Sequence, residues 1–229
     1  MSLRGTASLP PAATCADRAA GALWGAFLGD ALAMPVHWYY DRAALRRDYG
    51  EVRELLAPRN PHPDSILWRS RWEAPSPALD ILHDQRAFWG RPGIHYHQHL
   101  AAGENTLNLQ LVAELLASLA ETGGHDVDDY ARRYVAFLTT PGRHRDTYVE
   151  EVHRGFIKNL GRGRPPRECG IADIHIGGLA WVPPLAAWFP RDAGALAAAI
   201  REQVGLTHRA PEVLAAAVAD RKSTRLNSS

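Results

Sequence analysis

An all-α fold is what this sequence predicts, and three observations carry the prediction. Apolar residues recur at helical spacing in several separate segments. Capping residues stand directly ahead of those segments. Alternating strand patterns and Asn-Gly hairpin signals are scarce. The first helix is expected to start at an Asp17 cap and run to about Ala33, where Pro35 ends it. Within it Leu23, Trp24, Phe27, Leu28, Ala31 and Leu32 supply the inward apolar rhythm, while Gly21, Gly25 and Gly29 fall on one stripe. A glycine costs about 1 kcal/mol against alanine inside a helix. Three in register therefore predict that another backbone, or a ligand, approaches closely there.

The stretch from Ala57 to Gly103 is rich in Pro, Trp and His and lacks periodicity. Segments of that kind inside a compact domain are often functional. A strong helix follows over Thr106 to Leu119, with Leu107, Leu111, Leu115 and Leu119 in one row. Asp126 is expected to cap a third helix that ends before Pro141. Asp146 is expected to cap a fourth that turns Val149, Val152, Phe156, Ile157 and Leu160 inward. Gly161 to Gly170 reads as a loop. Leu179 to Trp188 and Asp192 to Val204 are further helices, and Pro211 opens a last one through Ala219, since proline suits the first helical position.

Composition narrows the function classes. The 229 residues are 46% hydrophobic and 22% charged, with a net charge of +1. That balance fits a folded domain and gives no electrostatic face for nucleic acid. Arg162, Arg164 and Arg167 form a short solvated loop cluster. Cys15 and Cys169 offer neither a disulfide framework nor a zinc motif, which fits a reducing, cytoplasmic setting. No apolar run is expected to reach the ~20 residues that cross a bilayer. Residues 1–16 read as a disordered leader, and residues 17–219 as one helical domain. Residues 220–229, where an arginine-rich, alanine-rich chain turns abruptly to Asp-Arg-Lys-Ser-Thr-Arg-Leu-Asn-Ser-Ser, read as a non-native tail translated from a sequencing adapter. On that reading the native sequence stops near Ala219, short of its natural end.

Three segments could carry chemistry. Gly25 to His37 is a glycine-striped helix that delivers Asp30 and then His37 to a turn. Glu104, Asn105 and Thr106 form a polar knot at a helix start, where oxygen donors suit a hard cation such as Mg²⁺. The same knot also suits plain capping by Asn105 or Thr106. Gly205 to Pro211, with Leu206, Thr207 and His208, is a turn before an alanine-rich helix. A separate cluster, His95, His97 and His99 with His83 upstream, would point one way if the strand were extended. It could then converge on Zn²⁺; exposed loop histidines are the plainer reading.

Taken in order, the three segments resemble the ADP-ribosylglycohydrolase family, which includes the J1-crystallins. The family's GxxxGDAxG-like motif is matched by Gly25, Gly29, Asp30 and Ala31, with Ala33 at the last glycine. Its Thr-Asp-Asp-Thr metal motif corresponds to Gly103, Glu104, Asn105 and Thr106. Its Gly-Asn-Gly segment corresponds to Ile174 through Pro183, and its Leu-Thr-His turn to Leu206, Thr207 and His208. The resemblance implies an all-α domain, two Mg²⁺ ions, and hydrolysis of the bond between ADP-ribose and an acceptor, with an ADP-ribosylated protein or small molecule as partner. It further implies Glu104, Asn105 and Thr106 as metal ligands and Glu104 and His37 as acid/base candidates. Asp30, His175, Gly177, Gly178 and His208 would line the substrate.

The departures from the family pattern are substantial. His37 stands where a glutamate is usual, Gly103 replaces a threonine and Asn105 an aspartate. Ile174-His175-Ile176 replaces the Gly-Asn-Gly loop, and Ala180 an arginine. The second metal half-site would lie beyond Ala219. The metal-dependent activity is therefore expected to be missing from this chain. His37-Trp38-Tyr39-Tyr40 resembles the crystallin-like branch, which offers a non-catalytic, ligand-binding alternative.

Overall fold

The structure is a computed structural model, and it describes residues 14–224, with side chains to residue 220. The architecture is all-α: α1 (Cys15–Ala33), α2 (Arg42–Tyr49), α3 (Leu107–Thr122), α4 (Val127–Thr139), α5 (Glu151–Leu160), α6 (Val182–Trp188), α7 (Ala193–Thr207) and α8 (Pro211–Thr224), joined by short 3-10 turns. Among the described residues the one β-type pairing is an isolated bridge from Ile171 to His208.

The α3 row behaves as its spacing predicts. Leu107, Leu111, Leu115 and Leu119 are each at most 3% exposed and sit in the main core with Tyr130, Phe156, Trp181 and Ile200. Each fully buried leucine contributes about 1.5–3 kcal/mol, so this helix anchors the domain. Asp126 caps α4 by accepting the N–H groups of Asp128 and Asp129, and Asp192 caps α7 through Ala195. Pro211 opens α8.

Several expectations are corrected. Helix α1 starts at Cys15 on a Thr14 cap. Asp17 is the third helical residue and bonds back to Thr14 in a reciprocal capping box. The last residues expected in a leader thus already belong to the helix, while residues 1–13 lie outside the described residues. Trp24 and Leu28 point outward, 75% and 55% exposed, because α1 covers the core with one side only. The glycine stripe faces outward with them: a Cβ placed on Gly21, Gly25 or Gly29 would meet nothing within 4 Å. Close approach therefore does not explain those glycines. Cys15–Val36 is also long and apolar enough, by length and composition, to cross a bilayer, with mean hydropathy 1.3. Its Asp30 is instead bonded to the start of α3. That tie places the helix against the domain.

Helix α2, capped by Asp41 and stopped at Gly50 with φ +65°, was not anticipated. The segment expected as one helix from Leu179 is a 3-10 turn, Ile176–Trp181, feeding α6. The last helix runs on through Thr224, and residues 225–229 lie outside the described residues.

Candidate active site

The start of α3 organises the site. Thr106 is its N-cap but makes no capping bond of its own. Two carboxylates reach in from elsewhere. Asp30 of α1 accepts the Thr106 N–H at 2.8 Å and the Thr106 hydroxyl at 2.7 Å, and also takes Asn105 Nδ2–H at 2.9 Å. Asp146, fully buried, accepts the Leu107 N–H at 2.8 Å. Negative groups at a helix N-terminus satisfy its orphan donors and meet the positive end of its dipole. Local capping by Asn105 or Thr106 is thus replaced by capping across the fold. Asp146 does not start α5, which begins five residues later after Glu150.

The other oxygen of Asp146 holds His97 Nδ1 at 2.6 Å, and His97 Nε2 lies 2.8 Å from His37 Nδ1. The loop carrying His37 is clamped from below. His95 Nε2 donates to the Pro35 carbonyl and His62 Nε2 to the His37 carbonyl. Trp38 follows in the left-handed region at φ +57°, costly for a bulky residue, and is wedged edge-on against Tyr96 and Tyr148 at 4.1 and 4.8 Å.

These groups face a cavity of about 390 Å³ whose walls include His37, Trp38, Thr106, Asn108, Asp146 and Glu150. Small-molecule sites run from about 300 to 1,000 Å³. Glu150 is half-buried, and its desolvation raises its carboxyl above the usual range despite a bond from Asn108. Burial and the neighbouring His97 lower His37 to about 4, so it stands as the neutral imidazole.

The far wall is the segment before α6. A Cβ on Gly177 would come to 3.3 Å from Glu150 Oε2, and one on Gly178 to 3.1 Å from the His208 ring. A side chain at either position would press on Glu150 or on the His208 ring. His208 is buried, lowered to about 4 by that burial, and its Nε2 has no partner. The Ile171 to His208 bridge pins this corner to the end of α7. His175 is exposed at the rim and bonded to Asp173 at 2.6 Å, a contact that raises its pKa.

The expected metal set lies differently. Glu104 is turned away from this cavity into a neighbouring hollow, where Arg145 pairs with one of its oxygens and the Ala101 N–H binds the other at 2.7 Å. Asp30 and Asp146 likewise have both oxygens committed to N–H and O–H donors. A pair of dications needs charged oxygens aimed at a common point. This donor set, each carboxylate held by its own internal partners, does not fit one. Among the described residues no group of three or more His, Cys, Asp or Glu side chains is arranged to hold a metal ion.

The three-histidine expectation is corrected for a geometric reason. Residues 95–100 turn rather than extend, with Gln98 N–H to His95 O and Leu100 N–H to His97 O. His95 and His97 therefore face inward, while His99 is exposed against Phe88. His83 binds the Leu138 carbonyl.

Of the residues expected at the site, His37 and Thr106 line the cavity, Asp30 stands behind Thr106, and Gly177 and Gly178 follow the lining residue Ile176, with His208 packed against Gly178. Glu104 stands outside. Sequence reasoning missed Asp146, Glu150 and Asn108. The signal for Asp146 and Glu150 is the run Asp146-Thr-Tyr-Val-Glu150, two acids in an otherwise core-forming stretch, where the sequence suggests only a cap at Asp146; Asn108 carries no local signal. No curated protein matches the chain. The model of one family, ADP-ribosylglycohydrolase, matches residues 11–220. With that match over nearly the whole all-α domain, the chain belongs to the ADP-ribosylglycohydrolase family.

Proposed function

We propose that the chain hydrolyses the glycosidic bond between ADP-ribose, or a related nucleotide sugar, and an acceptor such as an ADP-ribosylated protein side chain. The observation that carries this reading is one cavity that holds both a neutral histidine, His37, and a half-buried carboxyl, Glu150, in a chain of a glycohydrolase family. Cleaving such a bond calls for a proton donor to the leaving group and an acceptor for the attacking water's proton. Gly177, Gly178 and His208 form the substrate wall in this reading, His175 its rim, and Asp30 holds the α3 terminus in place.

Mg²⁺ enters only through the family resemblance, and no step here runs through it. With the oxygens of Asp30, Glu104 and Asp146 committed to internal bonds, Mg²⁺-stimulated turnover is expected to be absent. The test is chromatographic detection of free ADP-ribose released from an ADP-ribosyl-arginine peptide by the purified chain, with and without Mg²⁺. Release independent of Mg²⁺ supports the reading. Binding of ADP-ribose without release would favour the non-catalytic, crystallin-like alternative.

A further inference from the structure

Two hydrogen-bond chains lead to this cavity, one through Asp146, His97 and His37 and the other through Tyr134, His153, Asn108 and Glu150. The first starts at Asp146, whose Oδ2 accepts the Leu107 N–H. Its Oδ1 accepts from His97 Nδ1–H, 2.6 Å away. In the His97 tautomer that donates from Nδ1, the lone pair lies on Nε2 and accepts from His37 Nδ1–H, 2.8 Å away. His37 is left with a lone pair on Nε2, an atom with no hydrogen-bond partner among the described residues, on a side chain that lines the cavity.

The second chain starts at Tyr134, buried, whose hydroxyl donates to His153 Nδ1 at 2.6 Å. His153 Nε2–H donates to Asn108 Oδ1 at 3.1 Å, which orients the amide so that Asn108 Nδ2–H meets Glu150 Oε1, also at 3.1 Å. Glu150 Oε2 remains, beside the Gly177 backbone, to carry a proton.

We infer that these chains make an acid and a base of two side chains lining one cavity, with His37 Nε2 the general base and Glu150 the general acid of a metal-independent glycoside hydrolysis. The inference rests on the hydrolase reading above. Water's oxygen bonds to the anomeric carbon as the carbon–acceptor bond breaks. Water's proton passes to His37 Nε2, and the proton on Glu150 Oε2 passes to the departing acceptor. Solvent exchange then returns a proton to Glu150 and removes one from His37. His97 and Asp146 are positioning residues on the base side; Asn108, His153 and Tyr134 are positioning residues on the acid side. The charged and titratable groups around His37 are Asp30, Asp146 and His97. Those around Glu150 are Asp146, Asp173 and His175, together with Tyr134 and Tyr148.

The experiment combines long-range ¹⁵N–¹H spectra of the histidines with kinetics on an ADP-ribosyl-arginine peptide. The expected tautomers are Nδ1–H at both His37 and His97 in the purified chain. An Nε2–H at His37 overturns the assignment of the base without any variant being made. In kinetics, His37→Gln and Glu150→Gln are each expected to lower kcat by about 10²–10⁴-fold, with KM little changed. EDTA is expected to leave the wild-type rate unaltered, and Glu150→Gln to remove the high-pH limb of the kcat profile. Turnover abolished by EDTA, or wild-type kcat in His37→Gln, overturns the inference while leaving the hydrolase reading intact. No turnover by the wild-type chain refutes both.

Discussion

Asp146 joins two parts of the fold that lie far apart in sequence: its carboxylate accepts the Leu107 N–H at the start of α3 and holds His97 at 2.6 Å. One buried side chain thereby caps the core helix and sets the ring that positions His37. Stability and site geometry share a single group.

Replacing Asp146 with Asn should therefore be costly in both respects. The amide keeps one acceptor and turns a donor toward either Leu107 N–H or His97 Nδ1–H, leaving a buried donor unsatisfied. A loss of about 1–3 kcal/mol is expected in urea unfolding at neutral pH. An unchanged midpoint would mean that Asp146 does not bear on α3 as described.

Acid should destabilise the protein well above the carboxylate range. His37 and His208 are lowered to about 4, and His95 and His153 to about 3, each chiefly by burial. Unfolded histidines titrate near 6.5, so below about pH 6.5 the unfolded chain binds protons that the folded chain refuses. Stability is full above that pH and declines continuously as pH falls toward 4. Glu150 and His175 run the other way, because each has a raised pKa and takes a proton in the fold first, but they are two groups against four. Thermal melts should show a lower Tm at pH 5 than at pH 7.5. A flat Tm would contradict neutral burial of these rings.

Glycines in two settings should respond oppositely to alanine. Gly25 lies inside α1 with open space at its Cβ, so Gly25→Ala should stabilise by about 0.5–1 kcal/mol. A Cβ on Gly170 would lie 2.6 Å from the Leu206 carbonyl oxygen, a backbone atom that cannot step aside. Gly170→Ala should destabilise by about 1–3 kcal/mol. Paired unfolding curves check both signs at once.

Much of the fold was legible from periodicity and caps: the leucine row of α3, the aspartates ahead of α4 and α7, and Pro211 at α8 are all local signals. What escaped was non-local. Nothing within a few residues of Asp146 tells that it caps a helix some forty residues earlier, and nothing near Thr106 tells that its cap comes from Asp30. Trp24 and Leu28 carry the same apolar rhythm as buried residues, and only the packing of α1 decides that they face outward. At the site, composition pointed to histidines. Whether His95, His97 and His99 converge depended on a turn that alternate spacing cannot reveal.

The zinc alternative has its own check. His97 is committed to Asp146 and His37, and His99 is turned outward. The dialysed chain is expected to retain no stoichiometric zinc, and EDTA to leave its melting curve unmoved. One equivalent of tightly held zinc would restore the three-histidine site.

The central claim is that the cavity between His37 and Glu150 receives ADP-ribose along the Gly177 wall. Calorimetric titration of ADP-ribose into the purified chain and into Gly177→Val tests it most directly, because a Cβ there already stands 3.3 Å from Glu150 Oε2 and 3.8 Å from both Asn108 Nδ2 and His208 Nε2. Saturable binding to the wild type, lost in a Gly177→Val protein with unchanged circular dichroism, is the predicted result. Equal binding by both proteins, or none by the wild type, would contradict it.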